Sequence, residues 1–197
     1  MSELWVFLRI GFQHIVALDA ADHIFFLLAL AAIYRGRNWR SAFWVITAFS
    51  VGHTISLALA VFNLLPVRES VIEFLIPVTI VLTGIENLVL RERAAAGRHR
   101  PIFAGLFGLV HGAGFAGYLK SLFVANVALP LFAFNAGIEL GQIVLLAMAA
   151  GVFWIADRGL HAIARPCTTE AFQLRLVGVS ALVTIVATGW AWTRWPS

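Results

Sequence analysis

The chain has 197 residues, of which 61% are hydrophobic and only 12% are charged, and its formal charge is +4 at pH 7. A mean hydropathy of +0.90 excludes an ordinary soluble domain and predicts one transmembrane domain over residues 1–197. The arginines lie between apolar runs, which indicates an anionic membrane face rather than nucleic acid as their partner. A single cysteine, Cys167, excludes a cysteine-cluster metal site.

The apolar runs predict an all-α membrane protein with six transmembrane helices and a short, half-inserted or interfacial N-terminal helix. Residues 4–34 are too few for two full spans, since each needs about 20 residues. We therefore predict a short helix near 4–17 and a first span over 18–34, with one long tilted helix as the alternative. The remaining spans are predicted at 41–63, 70–90, 101–123, 129–156 and 171–193, with a polar loop at 157–170.

The distribution of basic residues predicts the orientation. The loops at 34–41, 91–100 and 157–175 carry three, four and three arginines, whereas the opposite loops carry only Arg68 and Lys120. The positive-inside rule places the arginine-rich loops in the cytoplasm and both termini outside. We expect the chain to lie in the inner membrane of a bacterium.

A face of small residues marks predicted span four, where Gly108, Gly112 and Ala116 recur every four residues. Such a face lets another helix pack at backbone distance. The face within residues 104–117 can serve a contact inside the chain or between two copies in a homo-oligomer. His111 lies beside it and is expected to point into protein, where an ionisable group at membrane depth indicates function.

Polar side chains are predicted at three depths, taken from their positions along the helices at about 1.5 Å per residue. The outer tier contains His14, Asp19, Asp22, His23 and Glu73. The middle tier contains His53, His111, Asn135, Glu139 and Gln142. Ser50 lies with His53 on a weaker polar stripe of the span at 41–63. The inner tier contains Glu86 and Asn87. Such tiers are typical of an ion pathway, because a path needs polar groups at several depths.

Imidazole and carboxylate groups together suit borderline divalent ions such as nickel, cobalt, zinc, iron and manganese. The predicted metal ligands are His14, Asp22, His23, His53, Glu73, His111 and Glu139. Asp19, Ser50, Glu86, Asn87, Asn135 and Gln142 are predicted to line the pathway or to support the ligands. For His14 and Asp19, a purely structural role at the membrane interface weighs as much as ligation.

Three functions fit these residues. The first is a permease for a divalent transition metal, driven by a gradient or by cytosolic trapping, since no Walker-type ATP motif is present. The second is an intramembrane zinc-dependent hydrolase, against which stands the absence of an HExxH motif. The third is a metal sensor or assembly factor that binds the ion without moving it. The tiered arrangement favours a transporter over an enzyme.

Several blocks of sequence resemble the HupE/UreJ-type membrane proteins, which are associated with nickel uptake for hydrogenase and urease. The matching blocks are Gly11-Phe-Gln-His14-Ile, Asp22-His23-Ile-Phe-Phe-Leu-Leu, Phe49-Ser-Val-Gly-His53-Thr-Ile-Ser-Leu, Glu73 with Glu86-Asn87, Phe107-Gly-Leu-Val-His111-Gly-Ala-Gly-Phe-Ala and Phe134-Asn135-Ala-Gly-Ile-Glu139-Leu-Gly-Gln142. Asp19-Ala20-Ala21 stand where the family usually has a glycine shortly before the Asp-His pair. The resemblance implies a permease-like role, with nickel as the first expectation for the ion.

Overall fold

The structure, a computed structural model, describes residues 2–34, 38–65, 68–91, 97, 99–115, 128–164 and 168–196. These residues form seven α-helices and no strand, so the all-α prediction is confirmed for them. A helix satisfies its own backbone hydrogen bonds, which an apolar segment in lipid requires. The helices are α1 (Glu3–Val16), α2 (Ala21–Ala32), α3 (Trp39–Val61), α4 (Glu69–Leu90), α5 (Arg100–Gly114), α6 (Ala128–Ala164) and α7 (Thr168–Thr193).

Four helices are long and apolar enough to cross a membrane, over Arg40–Val61, Glu69–Leu90, Ala128–Leu160 and Glu170–Thr193. Helix α5 has 15 residues, fewer than the roughly 20 that a span needs. The remainder of the predicted fourth span, residues 116–123, lies outside the described residues, as does Lys120. The number of six spans therefore stays a prediction, while the apolar helices indicate a lipid bilayer as the environment.

The N-terminal residues form two helices rather than one long tilted helix. Helices α1 and α2 meet at an angle of 66°, and together they are apolar enough for one broken span or a re-entrant loop. The helix breaks where Ala17 adopts an extended backbone, and a short 3₁₀ turn over Leu18–Ala20 follows. This break turns the C-terminal end of α1 towards the first turn of α2. Of Asp19, the structure describes only the backbone, within this turn.

Helix α6 corrects the predicted loop at 157–170. The helix has 37 residues and continues to Ala164, and α7 begins at Thr168, so most of this segment is helical. At about 1.5 Å per residue, α6 is longer than the apolar layer of a membrane is thick, and its charged residues Asp157 and Arg158 lie in its C-terminal part. There, Asp157 accepts a hydrogen bond of 2.9 Å from Arg175 of α7. The charged residues that led to the prediction of a loop thus belong to two helices, α6 and α7, which are joined by this ion pair.

Close helix pairs build the molecule, and glycines make them possible. A Cβ added at Gly108 or Gly112 would collide with backbone carbonyl oxygens of α3. Gly11 of α1 and Gly137 of α6 meet each other's helix in the same way. The small-residue face of α5 is confirmed as a backbone-distance contact, and its partner is α3. Because α3 covers Gly108 and Gly112, this part of the face is not free to join two copies of the chain.

A substitution on this face tests the contact between α3 and α5. We expect Gly108→Ala to destabilise the protein, because its Cβ would collide with the carbonyl oxygen of Phe49. Overpacking of this kind typically costs about 1–3 kcal/mol. Gly105→Ala is the matched control, since its Cβ would lie 3.5 Å from the Ala48 carbonyl oxygen, an ordinary contact. The melting temperature in detergent should fall for the first variant only, and equal values for both would contradict the packing.

Candidate metal centre

Four histidines from four helices meet at one place. The ring nitrogens of His14 (α1), His23 (α2) and His53 (α3) include a set in which all lie within 4.8 Å of one another, close enough to hold one metal ion. His111 of α5 is adjacent, with its ring centre 5.3 Å from that of His23. The close contact between α3 and α5 positions His53 and His111, and the break after α1 positions His14. The structure thus brings His14 fully into the cluster.

The histidine cluster, formed by His14, His23, His53 and His111, is buried except for the half-buried His14, and several of its ring nitrogens lack a hydrogen-bond partner. The exposed fraction is 0% for His53 and 1% for His111. Five ring nitrogens have no partner, namely Nε2 of His14, Nε2 of His23, both nitrogens of His53, and Nδ1 of His111. A buried polar atom without a partner is costly, and a neutral imidazole offers one lone pair. Converging lone pairs of this kind fit a cation.

Thr79 of α4 sets the protonation of His111. The single hydroxyl proton of Thr79 is donated to the carbonyl oxygen of Ile76 at 2.7 Å. The 3.0 Å contact between Thr79 Oγ1 and His111 Nε2 is therefore donated by the imidazole N–H. His111 then carries its proton on Nε2 and presents a lone pair on Nδ1. Hydrogen bonds of this kind orient histidines that bind metals.

Aromatic rings enclose the histidine cluster. The ring centre of Phe115 lies 3.8 Å from that of His14, and Phe115 itself stacks on Phe134 of α6. On the other side, the ring centres of Phe26 and Phe49 lie 5.1 and 5.3 Å from that of His111. These rings restrict the imidazoles and reduce the access of water, so an ion here would exchange its water ligands for nitrogen.

A cavity of about 790 Å³ leads to the histidine cluster from one end of the helices. His14, His23 and His111 are among the residues that line it. The charged residues that line it are Asp22, Glu73 and Arg194, in addition to the polar Gln13. Asp22 and Glu73, two members of the predicted outer tier, thus line the same cavity. We call this end of the molecule the cavity end.

Three of the predicted pathway residues join α3 to α6 rather than touching the cluster. Ser50 donates a hydrogen bond of 2.8 Å to the side-chain oxygen of Gln142. Thr54 is hydrogen-bonded to Asn135 at the same distance. Ser50 and Thr54 lie three residues before and one residue after His53, so these bonds fix the segment of α3 that carries this histidine.

Glu139 is not brought to the histidine cluster. Its side chain is exposed on the surface of α6, whereas Ile138 and Gln142 of the same helix are buried. Glu139 is also absent from the lining of the cavity. The predicted sharing of an ion between Glu139, His53 and His111 therefore has no geometric basis in this arrangement.

The predicted inner tier forms a polar cluster at the end opposite the cavity. Asn87 donates to the carbonyl oxygen of Ala29 at 2.7 Å and accepts from Arg100 at 2.9 Å. Glu86 is paired with His99 at 2.7 Å. Asn87 lies eight residues beyond Thr79 on α4, which is about 12 Å along the helix axis. These bonds tie α2, α4 and α5 together on the far side of Phe26 and Phe49.

Sequence reasoning did not identify Thr79, Phe115 and Arg194 as parts of the site. Thr79 had a weak signal, because it recurs with Thr83 one turn apart on an otherwise apolar helix. Arg194 resembled an ordinary residue after the last span, and only the folded chain brings it to Asp22, 172 positions away. These contacts are long-range and carry no local pattern.

We compared the chain with known protein families, curated proteins and solved structures. The model of the family described as "HupE / UreJ protein" matches residues 1–194. Neither the comparison with curated proteins nor that with solved structures found a match. The family match covers every helix among the described residues and all four residues of the histidine cluster. The chain belongs to the HupE / UreJ family.

Proposed function

We propose that the protein is a permease for a divalent transition-metal ion and that the histidine cluster holds this ion, the transported substrate, during its passage. The observation that carries the proposal is the convergence of four imidazoles with unpartnered ring nitrogens, three of which, His14, His23 and His111, line one cavity. Membership of a family associated with nickel uptake favours Ni²⁺. Cobalt, zinc, iron and manganese are the alternatives.

The donor atoms support a borderline transition metal over calcium or magnesium. Neutral imidazole binds nickel, zinc, copper and iron well, whereas calcium and magnesium require oxygen ligands. The carboxylates of Asp22 and Glu73 line the cavity, so they attract a dication before it reaches nitrogen. Oxygen ligands therefore precede nitrogen ligands along the route.

The proposed route runs from the cavity end to the opposite end. Arg91 and Arg100 lie at the end opposite the cavity, near Glu86 and Asn87, so by the positive-inside rule we assign the cavity to the outside. The ion enters past Asp22 and Glu73, loses water at the histidine cluster and leaves past Glu86 and Asn87. Phe26 and Phe49 lie between the cluster and the inner polar residues. These rings must move apart before the ion can be released. The proposed transport therefore requires the two ends of the molecule to open alternately.

Binding without transport is the second candidate function. The rings of Phe26 and Phe49, which close the histidine cluster off from the inner polar residues, favour it. A cluster accessible from one end only would suit a sensor or an assembly factor. An intramembrane hydrolase also needs a carboxylate as base, and the carboxylate beside the histidine cluster, Asp22, is already engaged by Arg194. Flux across a membrane separates the first two candidates, because both bind the ion and only a permease moves it.

Titration of the purified protein with Ni²⁺ tests the site directly. We expect one ion per chain and an X-ray absorption spectrum with imidazole scattering around nickel. Loss of this scattering in variants of the histidine cluster would assign the ligands. Nickel bound with oxygen ligands alone, or no bound nickel, would overturn the proposed site.

Glu139→Gln provides a second prediction about the ligand set. We expect the affinity for Ni²⁺ to stay unchanged, because the carboxylate is exposed on α6 and does not line the cavity. Equilibrium titration of this variant beside the unsubstituted protein measures the effect. A tenfold or greater loss of affinity would return Glu139 to the ligand set.

A further inference from the structure

The ion pair between Asp22 and Arg194 lies where the proposed substrate must pass. Arg194 follows the last turn of α7, and its guanidinium lines the cavity together with Asp22 of α2. The distance between Arg194 NH1 and Asp22 Oδ2 is 2.9 Å. The backbone N–H of Arg194 bonds to the carbonyl oxygen of Trp190, and the guanidinium lies 5.8 Å from the centre of the Trp190 ring. The cation is thus held at this place.

Asp22 uses only one of its two carboxylate oxygens. Its Oδ2 accepts from Arg194, whereas its Oδ1 is buried and has no partner. The next residue, His23, belongs to the histidine cluster. A carboxylate with a free oxygen beside a metal site is suited to receive a cation, but its other oxygen is already occupied by one.

A guanidinium and a metal ion compete for this carboxylate. A divalent ion carries twice the charge of the guanidinium and binds carboxylate oxygen directly, so it displaces the arginine more readily than a monovalent ion does. Side chains that are partly exposed, with 34% of Arg194 and 19% of Asp22 accessible, can separate at a small cost. The pair is therefore weak enough to open.

We propose that Arg194 controls access to the histidine cluster by occupying Asp22, so that only a cation that displaces the guanidinium from this carboxylate proceeds to the histidines. This role deepens the proposed function and rests on it, since it assumes a cationic substrate. Arg194 acts through Asp22 and is a positioning residue that makes no contact with the ion.

The test is Ni²⁺ binding by the full chain in lipid nanodiscs, followed at equilibrium and by stopped flow. We expect Arg194→Gln to bind Ni²⁺ about fivefold more tightly and to associate faster, because no ion pair has to open. In an Asp22→Asn background, the same substitution should change neither value. Arg68→Gln, which removes an exposed arginine at the cavity end outside the cavity lining, is the matched control and should have no effect.

Infrared difference spectra give a readout that a merely structural role would not change. Addition of Ni²⁺ should shift a carboxylate band, and this shift should disappear in Asp22→Asn. Unchanged or weaker binding by Arg194→Gln, or an equal gain in the Asp22→Asn background, would overturn the role of Arg194 and leave the proposed function standing. Absence of Ni²⁺ binding by the unsubstituted protein would overturn both.

Discussion

Replacement of His53 by alanine is expected to lower the affinity for Ni²⁺ by at least about 100-fold, because removal of a ligand should cost more than the 10- to 100-fold typical of supporting residues. His53 is fully buried, and neither of its ring nitrogens has a partner. It also belongs to the set of three histidines whose nitrogens lie within 4.8 Å of one another. The measurement is equilibrium titration in detergent or nanodiscs.

His99→Ala is the matched control for this prediction. His99 is a histidine outside the cluster, its side chain is 42% exposed, and it is paired with Glu86 at the end opposite the cavity. Size-exclusion profiles should show that both variants fold. Equal affinities for the two variants would contradict the assignment of His53 as a ligand.

Replacement of Thr79 by valine is expected to weaken Ni²⁺ binding by about 10- to 100-fold. Valine has nearly the shape of threonine but cannot accept the hydrogen bond from His111 Nε2. The imidazole would then lose the interaction that keeps its proton on Nε2 and its lone pair on Nδ1. Thr79→Ser should retain the affinity, because serine keeps the hydroxyl group.

Thr83→Val separates this effect from a general weakening of α4. Thr83 is buried on the same helix, and its hydroxyl donates to the carbonyl oxygen of Thr79, a bond that does not involve the histidines. We expect its affinity to match that of the unsubstituted protein. In the Thr79→Val variant, nitrogen-15 spectra of labelled histidine should show a change in the His111 tautomer. Similar losses of affinity for both valine variants would contradict the role of Thr79.

The all-helical class and the glycine face of α5 could be predicted because both depend on local patterns. A run of apolar residues requires a helix in lipid, and a four-residue repeat of small residues marks one helical face. The identity of the partner could not be predicted, because Gly108 meets Phe49, 59 positions earlier in the chain. A local repeat in the sequence does not specify which distant segment it will contact.

For Asn135, Glu139 and Gln142, helical spacing alone did not determine which side chains face the interior of the protein. At about 100° per residue, Asn135 and Gln142 point within roughly 20° of each other, but Glu139 is displaced by about 40 to 60° from both. The hydrogen bonds to Thr54 and Ser50 direct the first two residues towards α3. Glu139 is thereby turned to the surface, although all three belong to one predicted stripe.

His14, unlike Glu139, is brought to the histidine cluster by the fold. Its sequence distance from Asp22 did not decide between a ligand and an interfacial residue, because the angle between α1 and α2 is not encoded in the spacing alone. The break at Ala17 and the following 3₁₀ turn bring its ring to within 4.6 Å of that of His23, measured between ring centres. The ligand role of His14 stays a prediction, and the geometry now supports it.

Uptake of radioactive nickel into proteoliposomes tests most directly whether an ion crosses the membrane by way of the histidine cluster. We expect uptake above that of empty liposomes for the unsubstituted protein and for His99→Ala. For His53→Ala, we expect uptake at the level of empty liposomes. Nickel that binds to the reconstituted protein but never enters the lumen, or uptake that His53→Ala leaves unchanged, would contradict transport by this route.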